Sequence, residues 1–350
     1  MVIQRCNDLL GKRDGTLAAL CRVSKQLKPV AERALYSDLA LGNDLGASSP
    51  VSALFRAPRL RHFVESVYLH DEDDTLDDFA AEVIHVLCSM SNIKRLVVDS
   101  EHHPAARLIL AHPDCRLRSL ALDYWNVKSA RILAQFPSAF AALEHLEVGF
   151  DDDFAEAPPP VLSSLTSVTV RRGHDLEPFQ PFTAPLVGQL AELSLEIWET
   201  EFELVDLSAW IALERIGIDF RMPLIAEELE LAVAGIIATL KSVPRSPGLV
   251  SFTFRAFTED GILAPAHDIL LALPHHSRHL ALVTNAIRSA DLATFLLSTL
   301  RPPSLRTLRL GGRLARDFRT LLDDTEGPHG ALAGELERAG IEVTTTAVEP

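Results

Sequence analysis

The sequence predicts an α/β solenoid, a curved parallel sheet with helices on its outer side, preceded by a small helical head. Three observations support this fold class. A short apolar motif recurs along most of the chain, its copies are nearly evenly spaced, and amphipathic helical patterns lie between them. A strand and a helix of this size cannot bury their apolar sides alone, so stacked copies would share one continuous core.

The recurring motif reads apolar-x-x-apolar-x-apolar. Its last three positions alternate apolar, polar and apolar, which is the pattern of a strand with one buried side. Successive copies from Val64 to Leu213 begin 29, 24, 26, 22, 25 and 23 residues apart. The copies are Val64–Leu69, Ile93–Val98, Leu117–Leu122, Leu143–Val148, Leu165–Val170, Leu190–Leu195, Leu213–Ile218, Leu249–Phe254 and Leu305–Leu310, with a weaker copy that ends in Leu280-Ala281-Leu282.

Helical patterns occupy the intervals between copies. They cover Leu76–Met90, Ser129–Phe136, Ala226–Leu240 and Ala290–Leu300. The spacing stretches to 36 residues between Leu213 and Leu249, which predicts an inserted or longer helix there. A doubly wound α/β domain also alternates strands and helices, but the short strands, the even period and the lack of a glycine-rich phosphate loop favour the solenoid.

Over about residues 60–345 the chain resembles leucine-rich-repeat proteins, whose period is about 20–29 residues. The Asn that follows each strand in that family is missing, and only Asn126 stands near such a position. The resemblance implies a concave, strand-lined face that binds another protein. The predicted partner-binding residues are the outward strand positions Tyr68, Arg95, Asp99, Asp123, His145, Glu147, Arg171, Glu192, Arg215, Arg255 and Arg309.

The amino-terminal stretch predicts two short helices. Leu17, Leu20, Val23 and Leu27 share one helix side, and Pro29 ends that helix and can begin the next. The segments Leu20–Lys25 and Ala31–Leu39 resemble the second half of an F-box, as found in fungal-type F-box proteins with leucine-rich-repeat-like tails. The Leu-Pro-x-Glu segment that opens such boxes does not occur, and Leu336–Val343 resembles the closing helix and strand of the same group.

This resemblance implies a function. In the family the F-box binds a Skp-type adaptor of a cullin-type ubiquitin ligase, while the repeats bind a protein substrate. The residues expected to face the adaptor are Leu17, Leu20, Val23, Lys25 and Leu27. The alternative is a free-standing repeat scaffold that binds no adaptor and whose head caps the end of the solenoid. We expect a head over residues 1–41, a linker rich in turn residues over 42–59, and the solenoid over 60–350.

Composition excludes several other function classes. A formal net charge of −15 disfavours nucleic acid and anionic membranes as partners. The opening ten residues lack the apolar block of a signal peptide, so we expect a cytoplasmic or nuclear protein that is not secreted. The four cysteines are scattered, and neither a catalytic motif, a cofactor fingerprint nor a metal-ligand spacing occurs. The sequence therefore predicts a protein without enzymatic activity, cofactor or metal.

Overall fold

The structure is a computed structural model, and its description covers part of the chain. The described residues are 18–19, 21–22, 24–41, 50–69, 81–98, 104–123, 127–149, 162–171, 182–198, 202, 205–244, 248–258, 267–324, 327 and 330–346. The chain divides into two compact units. The first contains Met1–Glu147 and Leu162–Ser164, and the second contains Val148–Val161 and Leu165–Pro350.

The described strands form one 12-stranded sheet in which every strand lies beside its neighbours in sequence. Successive strands pair in parallel from β1 through β4 and from β6 through β12. This order, with helices between most successive strands, is the predicted leucine-rich-repeat-like architecture. The strands are β1 (Asp38–Leu41), β2 (Ser66–Leu69), β3 (Arg95–Val98), β4 (Ser119–Leu122), β5 (His145–Gly149), β6 (Ser167–Arg171), β7 (Glu192–Ile197), β8 (Arg215–Phe220), β9 (Ser251–Ala256), β10 (His279–Thr284), β11 (Thr307–Gly311) and β12 (Glu342–Thr346).

The ten motif copies correspond to β2–β11, and their apolar residues form the core. In the copy around β7, Leu190, Leu193 and Leu195 are at most 1% exposed. Only Leu122, at the last position of its copy, is half-buried rather than buried. The period-two alternation therefore predicted the buried side of most strands, whereas in β3 and β4 the outward positions Val97 and Ala121 are buried as well, at 8% and 2% exposure.

The helices vary in length much more than the strands. The longest is α6, which has 17 residues and lies in the stretched interval between Leu213 and Leu249, as predicted. The helices are α1 (Lys28–Tyr36), α2 (Pro50–Arg56), α3 (Ala81–Cys88), α4 (Pro104–Leu110), α5 (Val127–Gln135), α6 (Ala226–Ser242), α7 (His267–Leu271), α8 (Ser289–Leu297), α9 (Gly312–Asp323) and α10 (Leu332–Ala339). The described residues also contain two 3-10 helices, Pro58–Phe63 and Ala184–Leu186, and residues 18–19, 21–22 and 182–183 are helical as well.

The amino-terminal region contributes a strand to the sheet in addition to the helix. Helix α1 is followed after one residue by β1, which is the first strand of the sheet and pairs in register with β2. The segment Asp38–Leu41 was missed as a strand because its alternation contains only two leucines, of which Leu39 is 2% exposed. The predicted linker is helical where it is described, at α2 and at the start of the 3-10 helix. The predicted boundaries at residues 41 and 59 stay predictions.

One arginine holds the first helices of the first unit together. Arg61 is 8% exposed. Its Nε donates to the carbonyl of Leu54 (2.9 Å) and its Nη2 to that of Phe55 (3.3 Å), both in the last turn of α2. Its Nη1 donates to Ser89 Oγ at 2.9 Å, just beyond α3. A helix end needs such donors because its last carbonyls have no partner within the helix.

In the second unit, α6 is crossed at close range by the segment around Phe202 and residues 205–208. Thr239 Oγ1 accepts a hydrogen bond from the backbone N–H of Val205 (3.1 Å), and Ser242 Oγ accepts one from that of Leu207 (2.9 Å). Gly235 makes the approach possible, since a Cβ there would collide with the Phe202 carbonyl and lie 2.8 Å from its ring. The crossing segment therefore requires glycine at this helical position.

Candidate binding surfaces

The strands of the second unit expose the side of the sheet opposite the core. We call this side the open face; on β7, for example, Glu192, Ser194 and Glu196 alternate with buried residues. Register places open-face side chains of neighbouring strands in three rows. The first row is Ser167, Glu192, Arg215, Ser251, His279, Thr307 and Glu342; the second is Thr169, Ser194, Gly217, Thr253, Ala281, Arg309 and Thr344; the third is Arg171, Glu196, Asp219, Arg255, Val283, Gly311 and Thr346.

The third row begins with a network of arginines and carboxylates. Arg171 Nε lies 3.8 Å from Glu196 Oε2. Arg221, just after β8, contacts Glu196 with Nη2 and lies 3.2 Å from Asp219 Oδ2 with Nη1. Arg255 Nε lies 3.7 Å from Asp219 Oδ1, which accepts no hydrogen bond from the described residues. Three guanidiniums and two carboxylates thus adjoin one another.

Burial dominates the electrostatics of Asp219. Its side chain is 20% exposed. Burial raises the pKa of this carboxyl, Arg221 and Arg255 oppose the rise, and the neighbouring Glu196 adds to it. The ionised form is therefore less favourable in the folded protein than in water, even between two arginines.

The second row is small and uncharged from β6 to β10. Gly217 is at its centre, and a Cβ there would lie 3.2 Å from Ser194 Oγ. In the first row, Arg215 Nη2 donates to Glu192 Oε2 at 3.0 Å, and His279 Nδ1 lies 2.7 Å from Thr307 Oγ1. Charged and polar pairs therefore border a row of short side chains, which leaves backbone and small groups accessible to a ligand.

The first unit has a comparable but less charged set of outward residues. Arg95 on β3 is exposed, and its guanidinium lies 5.6 Å from the ring centroid of Tyr68 on β2. This distance is within cation–π range. Val97, which pairs in register with Tyr68, is only 8% exposed. The Tyr68–Arg95 pair combines an aromatic ring with a cation, the residue types that most often dominate protein interfaces.

Helix α1 has one packed side and one exposed side. Ala31 and Glu32 are buried, and Glu32 accepts two hydrogen bonds from Arg59, at 2.7 and 2.8 Å. These bonds lower the pKa of Glu32 most strongly, with the charges of Arg59 and Lys28 contributing. Leu27 and Val30 are 51% and 70% exposed. The helix is thus anchored on the 3-10 helix while two large apolar side chains face solvent.

The structure places the predicted site residues as follows. Ten of the predicted partner-binding residues lie in strands or directly after one, and none of these is buried: Tyr68, Arg95, Asp123, His145, Glu147, Arg171, Glu192, Arg215, Arg255 and Arg309. Asp99 is outside the described residues. Of the predicted adaptor-facing residues, Lys25 and Leu27 are exposed, while Leu17, Leu20 and Val23 lie outside the described residues. Their roles in binding stay predictions.

Sequence reasoning missed Arg221, Phe257 and Asn285, which follow directly after strands β8, β9 and β10. Asn285 Oδ1 accepts from the backbone N–H of Thr258 (2.8 Å), and its Nδ2 donates to the carbonyl of the same residue (3.0 Å). This side chain fixes the turns after two neighbouring strands, the task expected of an Asn in this kind of repeat; Asn126 is outside the described residues. The signal was available, because the period-two pattern extends past the six-residue motif.

Neither a metal-ion site nor a membrane-spanning helix is found among the described residues. No group of three or more His, Cys, Asp or Glu in this part of the chain could hold a metal ion. No helix described here has the length and apolarity needed to span a bilayer. The absence of enzymatic activity and of a cofactor stays a prediction.

Comparison with known proteins adds little to this description. No family model matches the chain, and no curated protein matches it. Chains of solved structures do match, among them the crystal structure of a TLR13–ssRNA13 complex, with 15% sequence identity and a TM-score of 0.37. The match covers 80% of this chain and 40% of that chain, so this chain spans less than half of its length. The ssRNA belongs to that complex and is not assigned to this chain.

Proposed function

We propose that this chain is a protein-recognition subunit, in which the open face binds a substrate protein and the amino-terminal region binds a Skp-type adaptor of a cullin-type ubiquitin ligase. The observation that carries the proposal is the row structure of the open face. Short side chains between charged rows suit a protein epitope, which needs hydrogen-bonding groups around an accessible centre. Such a subunit would act in the cytoplasm or nucleus, which microscopy of the tagged chain would test.

The adaptor part of the proposal depends on the sequence resemblance and on α1. Large apolar side chains exposed at 51% and 70% are unusual on a helix whose other side is anchored by an ion pair. Leu27 and Val30 would lose this exposure on binding an adaptor. Burial of both would contribute about 2–4 kcal/mol.

The alternative function is a repeat scaffold in which α1 only caps the sheet. The ion pair between the buried Glu32 and the exposed Arg59 favours it, since a cap needs firm anchoring on the first repeat. Both functions could coexist on one helix, because the anchored and exposed sides are different. The two functions differ in whether Leu27 and Val30 bind a partner protein.

A binding experiment with the purified adaptor separates the two. The full chain is compared with the double variant Leu27→Asp/Val30→Asp and with the control Leu231→Asp, which changes a leucine 63% exposed on α6. Point variants are preferable to deletion of the first 40 residues, because that deletion would remove most of β1 from the sheet. Adaptor binding that is lost only in the double variant supports the ligase subunit. A folded chain that does not bind refutes the adaptor role and leaves the scaffold.

A further inference from the structure

We propose that the open face at β9–β11 binds a segment of the partner in which a carboxylate stands next to an apolar side chain. This inference rests on the proposed recognition function and specifies its ligand. Two arginines and the residues between them form the proposed subsite.

The two arginines have donors that the described structure does not use. Arg255 points Nε toward Asp219 and lies 5.8 Å above the ring centroid of Phe257. Its Nη1 and Nη2 make no hydrogen bond with the described residues. Arg309 is exposed, and in the described part of the chain it has neither a hydrogen bond nor an ion pair. A guanidinium presents its donors in a planar fork that matches a carboxylate.

An apolar strip separates the two guanidiniums. Arg255 pairs in register with Val283, and Arg309 pairs with Ala281, both on β10. Val283 also pairs with Gly311, where a Cβ would lie 2.9 Å from Val283 Cγ2, so the strip is low and closely packed. With strands about 4.8 Å apart and a rise of about 3.3 Å per residue, the two arginine Cα atoms are roughly 12 Å apart. Both side chains can therefore reach a group lying above β10.

The charges around this strip determine which kind of ligand group can bind there. Two carboxylates border this strip: Asp219, beside Arg255, and Glu342 on β12, which pairs with Thr307 and lies diagonal to Arg309. Neither carboxylate forms an ion pair with Arg309. A basic segment would be repelled by the two guanidiniums, and a nucleic acid would be repelled by the net charge of −15. A carboxylate with an adjacent apolar group satisfies the guanidiniums and covers Ala281 and Val283.

The test is selection from a phage-displayed library of random twelve-residue peptides on the full chain. Selected peptides are synthesised with a fluorophore and titrated by fluorescence polarisation against the full chain and its variants. We expect enrichment of Asp or Glu adjacent to aliphatic or aromatic residues. We also expect affinity to fall at least about tenfold for Arg309→Ala and for Arg255→Ala, since each removes a charge-assisted hydrogen bond.

Two controls make the result specific. Arg338→Ala removes an exposed arginine of α10, away from the strands, and should leave affinity unchanged. Val283→Ser should weaken peptide binding, because it removes the apolar contact of the peptide while leaving both arginines in place. Enrichment of basic or uncharged peptides overturns the proposal, as does equal binding by Arg309→Glu.

The outcome also separates this proposal from the function on which it rests. Selected peptides that depend on Arg95 or Arg215 but not on Arg255 or Arg309 would refute this subsite and leave the recognition function standing. If no peptide is selected and no protein partner binds the open face, the recognition function fails as well.

Discussion

Replacement of Arg61 by methionine should destabilise the first unit. Methionine keeps an unbranched apolar stem but leaves the carbonyls of Leu54 and Phe55 without their donors. Leu54 has no other helical partner, because the residue four positions later is Pro58, which has no N–H. The guanidinium thus replaces a backbone donor that the sequence cannot supply.

The magnitude follows from these hydrogen bonds. Each bond from a charged donor to a carbonyl contributes about 1.5–3 kcal/mol, and rehydration of the partly buried Phe55 carbonyl reduces the sum. We expect a loss of about 3 kcal/mol. For a unit of about 150 residues, with an unfolding entropy near 2.1 cal/mol/K per residue, the midpoint should fall by about 10 °C.

Thermal unfolding followed by calorimetry and circular dichroism measures this shift. Arg56→Met is the matched control, because Arg56 is exposed in the same helix and makes no hydrogen bond or ion pair with the described residues. Arg61→Lys keeps the charge without the fork and should recover only part of the loss. A midpoint for Arg61→Met that equals that of Arg56→Met would refute the reasoning.

Three further predictions concern α1, the open face and α6. Glu32→Gln should lower the free energy of unfolding by about 1–2 kcal/mol at pH 7. Because the folded-state pKa of Glu32 is lowered, this difference from wild type should vanish as the pH falls through that pKa. Chemical denaturation from pH 7 to pH 3 measures it. Asp219→Asn should leave the free energy of unfolding nearly unchanged at pH 7 or raise it. Because the pKa of Asp219 is raised in the folded protein, the wild type should gain stability relative to the variant as the pH falls toward the usual Asp value of 3.8. Gly235→Ala should cost about 1–3 kcal/mol by thermal unfolding, because the added methyl group meets the Phe202 carbonyl.

Each of these has its own control. Glu335→Gln changes a partly exposed glutamate paired with the exposed Arg338 and should have almost no effect at either pH. A difference between Asp219→Asn and wild type that does not change with pH would contradict the inferred rise in pKa. Gly334→Ala adds a methyl group to another helical glycine, with nothing within 4 Å, and should stabilise by up to about 1 kcal/mol. Equal effects at the two glycines would contradict the close approach at α6.

The sequence predicted those parts of the fold that repeat. Each of the ten motif copies has a set of apolar residues such as Leu190, Leu193 and Leu195. Because the set repeats, the alternation within each strand is recognisable. Strand β1 was missed because it has only Leu39 and Leu41 and no regular interval before it. Arg61 could not be predicted, since its role arises where a helix end, a proline and a neighbouring helix meet in space.

The open face was predicted in part for the same reason. Arg171, Arg255 and Arg309 follow from alternation, because outward positions are the complement of buried ones. The pairing of Arg221 with Glu196 depends on the register between β7 and β8, which single strands do not encode. Asn285 was missed because the amide was sought at the position usual for the family rather than directly after the strand.

In the second unit the strand register is constant while helix length varies. This difference affects how binding specificity can change. Insertions between strands are absorbed by the helical layer, as the 17 residues of α6 illustrate, while Glu192, Arg215 and Ser251 stay aligned. The open face therefore behaves as a grid with fixed spacing of about 4.8 Å between columns. Side chains at its nodes can be exchanged one at a time without repacking the interior, so ligand preference can diverge quickly while stability is conserved.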